Sequence, residues 1–586
     1  MEKTSGISVA SSFKHCKKQL LRHAAPVCIV VAYFVSNSVC AQVSTPPAGS
    51  IIERRPSDER PPLPEFEKPE VPQLQLPPVK PAPEERAPFA ARVFVRQFDL
   101  IGNTVFSDEE LREVTVSFEN RQITNEELQE LRQRLTLYYV NRGYINSGTM
   151  IPDQKVADGI IQIQIIEGRL ARIDIEGVDR FRPDYFRRRL ALGAGPPLNV
   201  KDLEERLQIL LQSPLVDRIN AQLAPGDRPG EAILRARVFE KSPYELQIGL
   251  DNELSPSIGE ARLFLQGSYR NLAGRGDVLS GEVGFAEGLD AIGDDLALNY
   301  TLPITVKDTT LSLRYDKSES EVVEEPFDAI DVESESETIG IELAHPLYRT
   351  PNKQFTLGFA LERRSSDTFL LDIPFSFSPG AQDGESDVAV LRFSQDWLSR
   401  SQNQVMAARS AFSFGIDAFG ATINDNTPDS EFLVWLGQFQ WARRLGDAGH
   451  QIIFRADIQL SDDPLLPLEK FAVGGIDSVR GYRQNQLVRD EGYAVSFEFR
   501  MPIFRSESGQ SNLQLAAFVD AGRAENKDAP NPDPDSIESI GLGILWNPHP
   551  KFHAELYWAE ALDDIDNPSD TLQDDGVHFR LVGRVF

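Results

Sequence analysis

From residue 244 to the C-terminus, apolar and polar residues alternate along short segments, and this two-residue period constrains the fold more than any other feature. Clear examples are residues 244–251, 311–315, 355–362 and 493–501. A period of two is that of a β-strand with one apolar face and one polar face. A soluble β-sandwich shows the same alternation, so the pattern alone leaves two fold classes open.

The N-terminus and the length of this tract favour a membrane-spanning barrel. Residues 1–41 combine a basic segment, an apolar segment and small residues before Gln42, which is the pattern of an export signal. At roughly 20 residues for each strand with its loop, the tract holds on the order of 16 strands. We therefore predict a transmembrane antiparallel β-barrel over residues 242–586, with an apolar lipid face and a polar lumen. Outside the N-terminus, no segment has the 18 uninterrupted apolar residues of a membrane helix.

Cysteine content and net charge exclude several classes of protein. Cys16, Cys28 and Cys40 all lie in the predicted signal, so the exported chain has no thiol for a disulfide, and lipidation of Cys40 is a minor alternative. A formal charge of -29 argues against a nucleic-acid partner, because phosphate binding needs a basic face. The acidic run at residues 316–337 lacks the spacing of a metal-binding loop, so we predict a solvated loop there.

Two similar α+β modules are predicted between a proline-rich linker at residues 42–91 and the barrel. The first occupies residues 92–168 and the second residues 169–241, each in the order strand, helix, helix, strand, strand. Helix starts and apolar helix faces carry this prediction. The capping residues are Ser107 with Glu110, Thr124 with Glu127, and Asn199; the apolar faces are Leu128, Leu131, Leu135 and Tyr138 in the first module, and Leu203, Leu207, Leu210 and Leu211 in the second.

A single arginine stands in the motif formed by Val479, Arg480, Gly481 and Tyr482, between flexible glycines and an alternating strand. An arginine folded back into a closed structure needs a carboxylate partner. In residues 513–520 the apolar series faces lipid, which turns Phe518 and Asp520 toward the lumen, and the same count turns Glu498 inward.

Several motifs together resemble a known family. The two modules are followed by NLAGRGD at residues 271–277, PLEKF at 467–471, a glycine pair and the VRGY motif at 479–482. This arrangement over residues 91–586 resembles the outer-membrane transporters of two-partner secretion, the haemolysin secretion/activation (ShlB/FhaC/HecB) family of the BamA-like superfamily. The resemblance implies periplasmic POTRA domains, a 16-stranded barrel and an inward-folded loop near residues 471–492. It also implies secretion of one large unfolded exoprotein without ATP.

The resemblance further implies that the inward arginine meets acidic residues of the barrel wall. We therefore predict that Arg480 pairs with Asp520, with Glu498 and Phe518 nearby. A guanidinium suits paired carboxylate oxygens better than an ammonium, so lysine is an imperfect substitute. Because a barrel lumen is wet, we expect breaking this pair to cost less than breaking one in a protein core.

The exoprotein is predicted to bind as an extended strand at a module edge, near residues 147–151 or 218–223. The other expected partners are outer-membrane lipid and the barrel-assembly machinery. The chain ends in Phe586, as assembly signals do, but Arg584 stands where an aromatic residue is common. Family members often carry a helix that plugs the pore, and here only residues 48–55 could form one.

Three competing functions remain. A BamA-like assembly factor would have more modules and a loose barrel seam, and a passive porin would not need the modules. An enzyme is disfavoured because the chain has no GxSxG, no HExxH and no Gly-Lys dipeptide, so we expect no catalytic, metal or cofactor site.

Overall fold

The computed structural model describes residues 66, 73–76, 92–287, 295–425, 428–505, 511–567 and 569–586. The predicted export signal, the candidate plug at residues 48–55 and most of the linker lie outside these ranges. In the described part that precedes the barrel, the elements are β1 Gln73–Gln75, β2 Val93–Val95, β3 Gln97–Ile101, α1 Asp108–Thr115, β4 Arg121–Ile123, α2 Asn125–Val140, β5 Gly148–Met150, β6 Ile160–Ile166, β7 Arg169–Glu176, α3 Pro183–Leu190, α4 Val200–Leu211, β8 Val216–Pro225 and β9 Glu231–Glu240.

The first module packs α1 and α2 against a sheet in the order β3-β6-β5. Both helices begin at the predicted capping boxes, in which Ser107 and Thr124 accept from the amides of Glu110 and Glu127. Leu131 and Leu135 are buried as predicted, but the third fully buried residue of α2 is Tyr139, not Tyr138, because a spacing of four residues keeps one helix face toward the sheet.

The second module repeats this plan with a larger sheet in the order β1-β8-β9-β7. The side chain of Asn199 caps α4 by accepting from the amide of Lys201 at 3.0 Å. Leu203, Leu207 and Leu210 are buried in the core of the module. The apolar spacing of this helix therefore holds the module together and does not form a binding surface.

Strand β1 belongs to the linker, which precedes both modules in the sequence, yet it is part of the sheet of the second module. It pairs in parallel with β8, with Gln73, Leu74 and Gln75 opposite Asn220, Ala221 and Gln222. The side chain of Leu74 is partly buried against the core of the second module. One of the two predicted cargo edges thus already carries a short strand of the chain itself.

Sixteen antiparallel strands close the barrel, and the short strand β17 extends the pairing of β16. The strands are β10 Tyr244–Asp251, β11 Arg262–Arg270, β12 Val278–Phe285, β13 Asp295–Pro303, β14 Thr310–Glu321, β15 Val332–Arg349, β16 Lys353–Leu370, β17 Ile373–Pro374, β18 Glu385–Arg400, β19 Gln404–Gly415, β20 Leu433–Leu445, β21 His450–Ser461, β24 Glu491–Arg505, β25 Ser511–Glu525, β26 Ser536–His549, β27 Phe552–Ala561 and β28 Val577–Arg584. Short 3-10 turns cover Val116–Phe118, Ala191–Gly193, Pro256–Ile258, Asp328–Ile330 and Pro467–Glu469.

The first and last strands of the barrel are hydrogen-bonded to each other at the seam. Strands β10 and β28 align five residue pairs, and the side chain of Asn252 bridges the seam by donating to the Val577 carbonyl at 2.9 Å and accepting from the Phe579 amide at 2.8 Å. The ring of Phe586 packs edge-on against Tyr244 with centroids 5.6 Å apart. This seam is not the loose one that an assembly factor would have.

Alternation in the barrel sorts side chains as predicted. On β25, Val519 is 51% exposed on the outer surface, whereas Phe518 and Asp520 are buried inside. Closure pairs every barrel strand with two neighbours, which satisfies backbone groups that lipid could not.

The acidic run at residues 316–337 is not the solvated loop that we predicted. Its first part continues β14 to Glu321 and its last part belongs to β15 from Val332, so only residues 322–331 form a loop. The two strands stay paired through this acidic segment, with Glu319 opposite Glu335. The long ladder outweighs the low strand propensity of its acidic residues.

The second module contacts the barrel through an arginine on α3. The guanidinium of Arg189 donates to Asp308 at 2.8 Å, and its face stacks on the ring of Tyr185 at 3.8 Å. Asp308 also pairs with Arg349 at 2.7 Å. These contacts join the module to the turn after β13 and to the end of β15. Among the described residues, no helix is both long and apolar enough to cross a lipid bilayer.

Candidate functional site

The segment between β21 and β24 folds into the barrel instead of projecting from it. It contains an antiparallel pair, β22 Phe471–Val473 and β23 Leu487–Arg489. Its apolar side chains, including Val479 and Tyr482, pack against wall residues such as Ala524 in one buried cluster. We call residues 462–490 the inner loop.

Two glycines make the sharp turn of the inner loop possible. Gly474 and Gly475 have φ angles of 115° and 93°, and a Cβ on either would lie within 3 Å of neighbouring atoms. Gly481 has a φ of 96° and lies close to Ala559 of the wall, so a side chain there would clash. The glycines of the motif are needed for backbone geometry as well as for flexibility.

The structure brings Arg480 together with the three residues named from the sequence. Its Nε donates to Asp520 at 2.8 Å, one Nη donates to the other oxygen of Asp520 at 2.9 Å, and the second Nη donates to Glu498 at 2.5 Å. The guanidinium carbon lies 3.4 Å from the centroid of the Phe518 ring. Arg480 is 2% exposed, so this pair is shielded from bulk solvent, in contrast to the solvent-exposed pair that we expected.

The carboxylates that face Arg480 are themselves held in place. Glu498 also pairs with Arg500, and Ser496 accepts a hydrogen bond from Arg480 at 3.1 Å. Asp520 and Glu498 are fully buried. The guanidinium of Arg480 therefore bridges two desolvated wall carboxylates on the adjacent strands β24 and β25, and Arg500 supplies a second cation for Glu498.

The remaining residues of the motif bind other parts of the wall. The amide of Gly481 donates to Nε2 of His578 on β28 at 3.1 Å, and the hydroxyl of Tyr482 donates to the carbonyl of Glu538 on β26 at 2.8 Å. The contacts of His578 and Glu538 with the motif were not predicted from the sequence. Alternation places His578 in the lumen, but only the position of the loop makes it a partner.

The base of the inner loop has its own buried ion pairs. Glu469, 1% exposed, accepts from Arg364 of β16 at 3.1 Å and from Arg392 of β18 at 2.8 Å. Glu469 belongs to the PLEKF motif, which contributed to the family resemblance but for which the sequence predicted no contact. The loop is thus attached to both sides of the barrel.

Beside the inner loop lies a cavity of about 490 Å³ inside the barrel. Its lining is largely polar and charged and includes Asn299, Arg314, Glu362, Arg392, Gln438 and Glu469. Most of these residues come from strands on the side of the barrel away from Asp520. Polar lining groups suit a polypeptide backbone, which needs a hydrogen-bond partner at every residue.

Comparison with known proteins agrees with this architecture. The family described as haemolysin secretion/activation protein ShlB/FhaC/HecB matches residues 230–545, and the ShlB-type POTRA domain matches residues 93–168. The outer membrane transporter CdiB of Escherichia coli is 22% identical over 481 residues, which cover 80% of this chain and 78% of that protein.

Solved structures show the same fold. CdiB from Escherichia coli aligns with a TM-score of 0.64 at 20% identity, covering 86% of this chain and 93% of that chain. BamA from Haemophilus ducreyi lacking POTRA domains 1-3 aligns with a TM-score of 0.52 at 14% identity, covering 84% of this chain and 100% of that chain. The predicted α+β modules, the 16-stranded barrel and the transporter class are confirmed. The chain belongs to the haemolysin secretion/activation ShlB/FhaC/HecB family and is an outer-membrane transporter of two-partner secretion with periplasmic POTRA domains.

Proposed function

We propose that this transporter captures its unfolded exoprotein at the edge of β8 in the second POTRA domain and passes it outward through the barrel. The observation that carries the proposal is the pairing of β1 with β8. An edge that accepts a short extended segment of the linker can accept extended cargo through the same backbone hydrogen bonds.

The lengths of the strands favour β8 over β5 as the capture edge. β8 has ten residues, and β1 pairs with only three of them. A cargo segment that pairs along more of β8 makes more backbone hydrogen bonds than β1 does, so it can displace β1. The edge of β5 offers three residues, which support a much weaker strand addition.

Outward passage requires the inner loop to change its contacts. The loop is attached near β24–β28 through Arg480, Gly481 and Tyr482, and it occupies lumen that cargo must share. In this proposal Arg480 keeps the inner loop in its resting position, and the exoprotein enters the barrel through the polar cavity beside the loop. Folding of the exoprotein outside the cell gives the movement its direction.

A photo-cross-linking experiment in the native cell tests the capture edge. A photoreactive amino acid replaces Gln222 on β8 or, as the matched control, Met150 on β5, in the full-length chain, and adducts are identified by mass spectrometry. One dominant, large exoprotein attached at position 222 supports the proposal. Attachment only at position 150 rejects β8 as the edge, and adducts of many barrel precursors instead indicate an assembly factor.

We also propose the following division of the chain and two further partners, lipid and the assembly machinery. The signal occupies residues 1–41, the linker 42–91, the POTRA domains 92–168 and 169–241, and the barrel 242–586. Exposed apolar side chains such as Leu542 and Trp558 face outer-membrane lipid. The barrel-assembly machinery inserts the chain into the outer membrane, and β28 with the residues that follow it carries the assembly signal.

A further inference from the structure

A second arginine of the inner loop, Arg483, is buried in an ion-pair cluster near the extracellular ends of the strands. Its Nε and one Nη donate to the two oxygens of Asp574, each at 2.7 Å, and the other Nη donates to Glu324 at 2.7 Å. The carbonyl of Ser569 accepts a further hydrogen bond at 2.8 Å. Arg483 is 6% exposed, so these bonds are shielded from water.

The partners of Arg483 come from loops and not from the barrel wall. Glu324 lies in the loop between β14 and β15, and both Ser569 and Asp574 lie in the loop between β27 and β28. Glu324 also accepts from Ser257, in the loop between β10 and β11, at 3.0 Å. One guanidinium therefore connects the inner loop to two other loops directly and to a third through Glu324.

Neighbouring contacts extend the same connection. The backbone amide of Gln484 donates to the side-chain oxygen of Gln573 at 2.7 Å. The side-chain nitrogen of Gln573 donates in turn to the carbonyls of Asn252 and Leu254, each at 2.7 Å. These bonds cross the seam strands and join the loop after β27 to the loop after β10.

Burial shows that the connected loops fold over the barrel instead of extending into solvent. Asn252, Leu254, Ser257 and Ile258 of the loop after β10 are each buried, and so is Gln573. A solvated loop would leave these side chains exposed. The loops and the inner loop thus cover the extracellular end of the lumen.

We infer that Arg483 holds three extracellular loops together over the mouth of the pore. We call the ion-pair cluster of Arg483 with Asp574 and Glu324 the clasp, and we infer that it must open for the exoprotein to leave. The inference rests on the proposed function because an outward-moving chain has to pass this end of the barrel. The clasp is separate from the Arg480 pair. Arg480 attaches the loop to strands β24 and β25, which remain in the wall, whereas the partners of Arg483 lie on loops that can move without breaking the barrel.

The first test is ion conductance of the purified full-length chain in planar lipid bilayers. Arg483→Ala is expected to raise the conductance several-fold, because the loops lose their common partner. Arg483→Lys is expected to have an intermediate effect, because an ammonium cannot form the bidentate pair with Asp574 and reach Glu324 as well. Arg363→Ala is the matched control. Arg363 pairs with Asp387 at a half-exposed site, and alternation along β16 turns it to the face opposite to that of the inward Arg364.

The second test closes the clasp covalently in cells. The side chains of Gln486 and Asn567 meet at 3.3 Å between the inner loop and the loop after β27. Cysteines at both positions are joined by a short reducible bis-thiosulfonate, and export is measured before and after reduction. Loss of secretion in the linked protein and its recovery after reduction are expected. The single variant Gln486→Cys controls for modification without a link.

The outcomes separate the clasp from the capture proposal. Normal secretion by the linked protein, or unchanged conductance of a folded Arg483→Ala barrel, overturns the clasp. Conductance is measured without the exoprotein, so it tests the clasp even if cross-linking at position 222 finds no cargo. If Arg483→Ala does not fold, the Arg483→Lys variant and the cysteine pair give the result.

Discussion

Arg480 and Asp520 form a bidentate ion pair across the inside of the barrel, with the two guanidinium nitrogens 2.8 and 2.9 Å from the two carboxylate oxygens. The backbone amide of Arg480 donates to the same carboxylate at 3.2 Å. Both residues are buried, and they lie 40 positions apart in the sequence. Asp520 therefore compensates the charge of the Arg480 side chain and also fixes the backbone position of the loop tip.

Arg480→Ala should impair secretion while the barrel still assembles. The substitution leaves Asp520 and Glu498 without their shared cation, and breaking a buried pair costs about 3 to 5 kcal/mol. Asp520→Ala should cost less, because Arg480 keeps Glu498. Secretion assays, together with the temperature at which the barrel unfolds on gels, check both effects. Normal export by both variants would show that the pair has no part in transport.

A double-mutant cycle should show strong coupling between these two residues. Once Arg480→Ala has removed the cation, Asp520→Ala removes a carboxylate that is already unpaired, so the double variant should be less destabilised than the sum of the single variants. Unfolding temperatures of the four proteins measure the coupling. Arg480→Lys serves as the control that keeps the charge but loses the bidentate geometry. Additive effects would mean that the contact contributes little.

Loosening β1 should strengthen exoprotein binding if β1 and cargo share the edge of β8. Leu74→Ala removes a side chain that packs against the core of the second module, whereas Leu76→Ala removes one that is 44% exposed. We expect only Leu74→Ala to increase the affinity of the full-length chain for unfolded exoprotein, measured by equilibrium binding. Equal affinities for the two variants would argue that β1 does not compete.

The first module should lose stability in acid through Glu167. Burial raises the pKa of this carboxyl, but hydrogen bonds from Thr104, Val105 and Tyr139 lower it more, so the pKa lies below its ordinary value of 4.5. A lowered pKa in the folded state gives stability that is present above 4.5 and is lost as the pH falls through the folded pKa. Hydrogen exchange, corrected for the intrinsic pH dependence, should show the amides of Thr104 and Val105 losing protection in that range.

Glu167→Gln provides the control for this pH effect. The side-chain amide of glutamine cannot ionise, and its nitrogen cannot accept from the Thr104 hydroxyl as Oε2 of Glu167 does. Its single oxygen can still accept from the backbone amides of Thr104 and Val105, which both donate to Oε1, but a neutral acceptor binds them more weakly than a carboxylate. The protection of these two amides should therefore be reduced at neutral pH and should change little in acid. Retention of a full acid transition in this variant would assign the effect to another carboxyl.

Arg189→Ala should release the second POTRA domain from the barrel. The side chain donates to Asp308 and to the carbonyl of Thr305, and it is largely buried at this contact. We expect a broader distance distribution between spin labels on the domain and on the barrel. Arg188→Ala is the matched control, because Arg188 is exposed on the same helix. Identical distributions for the two variants would show that other contacts hold the domain.

The sequence by itself determined the local structure and the direction of the side chains. The capping residues Ser107 and Thr124 determine where α1 and α2 begin. Alternation along the strands determines that the side chains of Asp520 and Glu498 point toward the lumen. These features depend on residues within one helical turn or one strand, so a periodic pattern contains them. The same local reasoning failed for residues 316–337, because the pairing of β14 with β15 is a contact between separate segments.

Only the tertiary structure decided which of these side chains meet. Arg483 has the same type of side chain as Arg480, yet its partners Glu324 and Asp574 lie 159 and 91 positions away on loops without a periodic pattern. The pairing of β1 with β8 and the contact of Gly481 with His578 are equally remote in sequence. Closure of the barrel brings these segments together, because one continuous ring of backbone hydrogen bonds fixes the place of every loop around it.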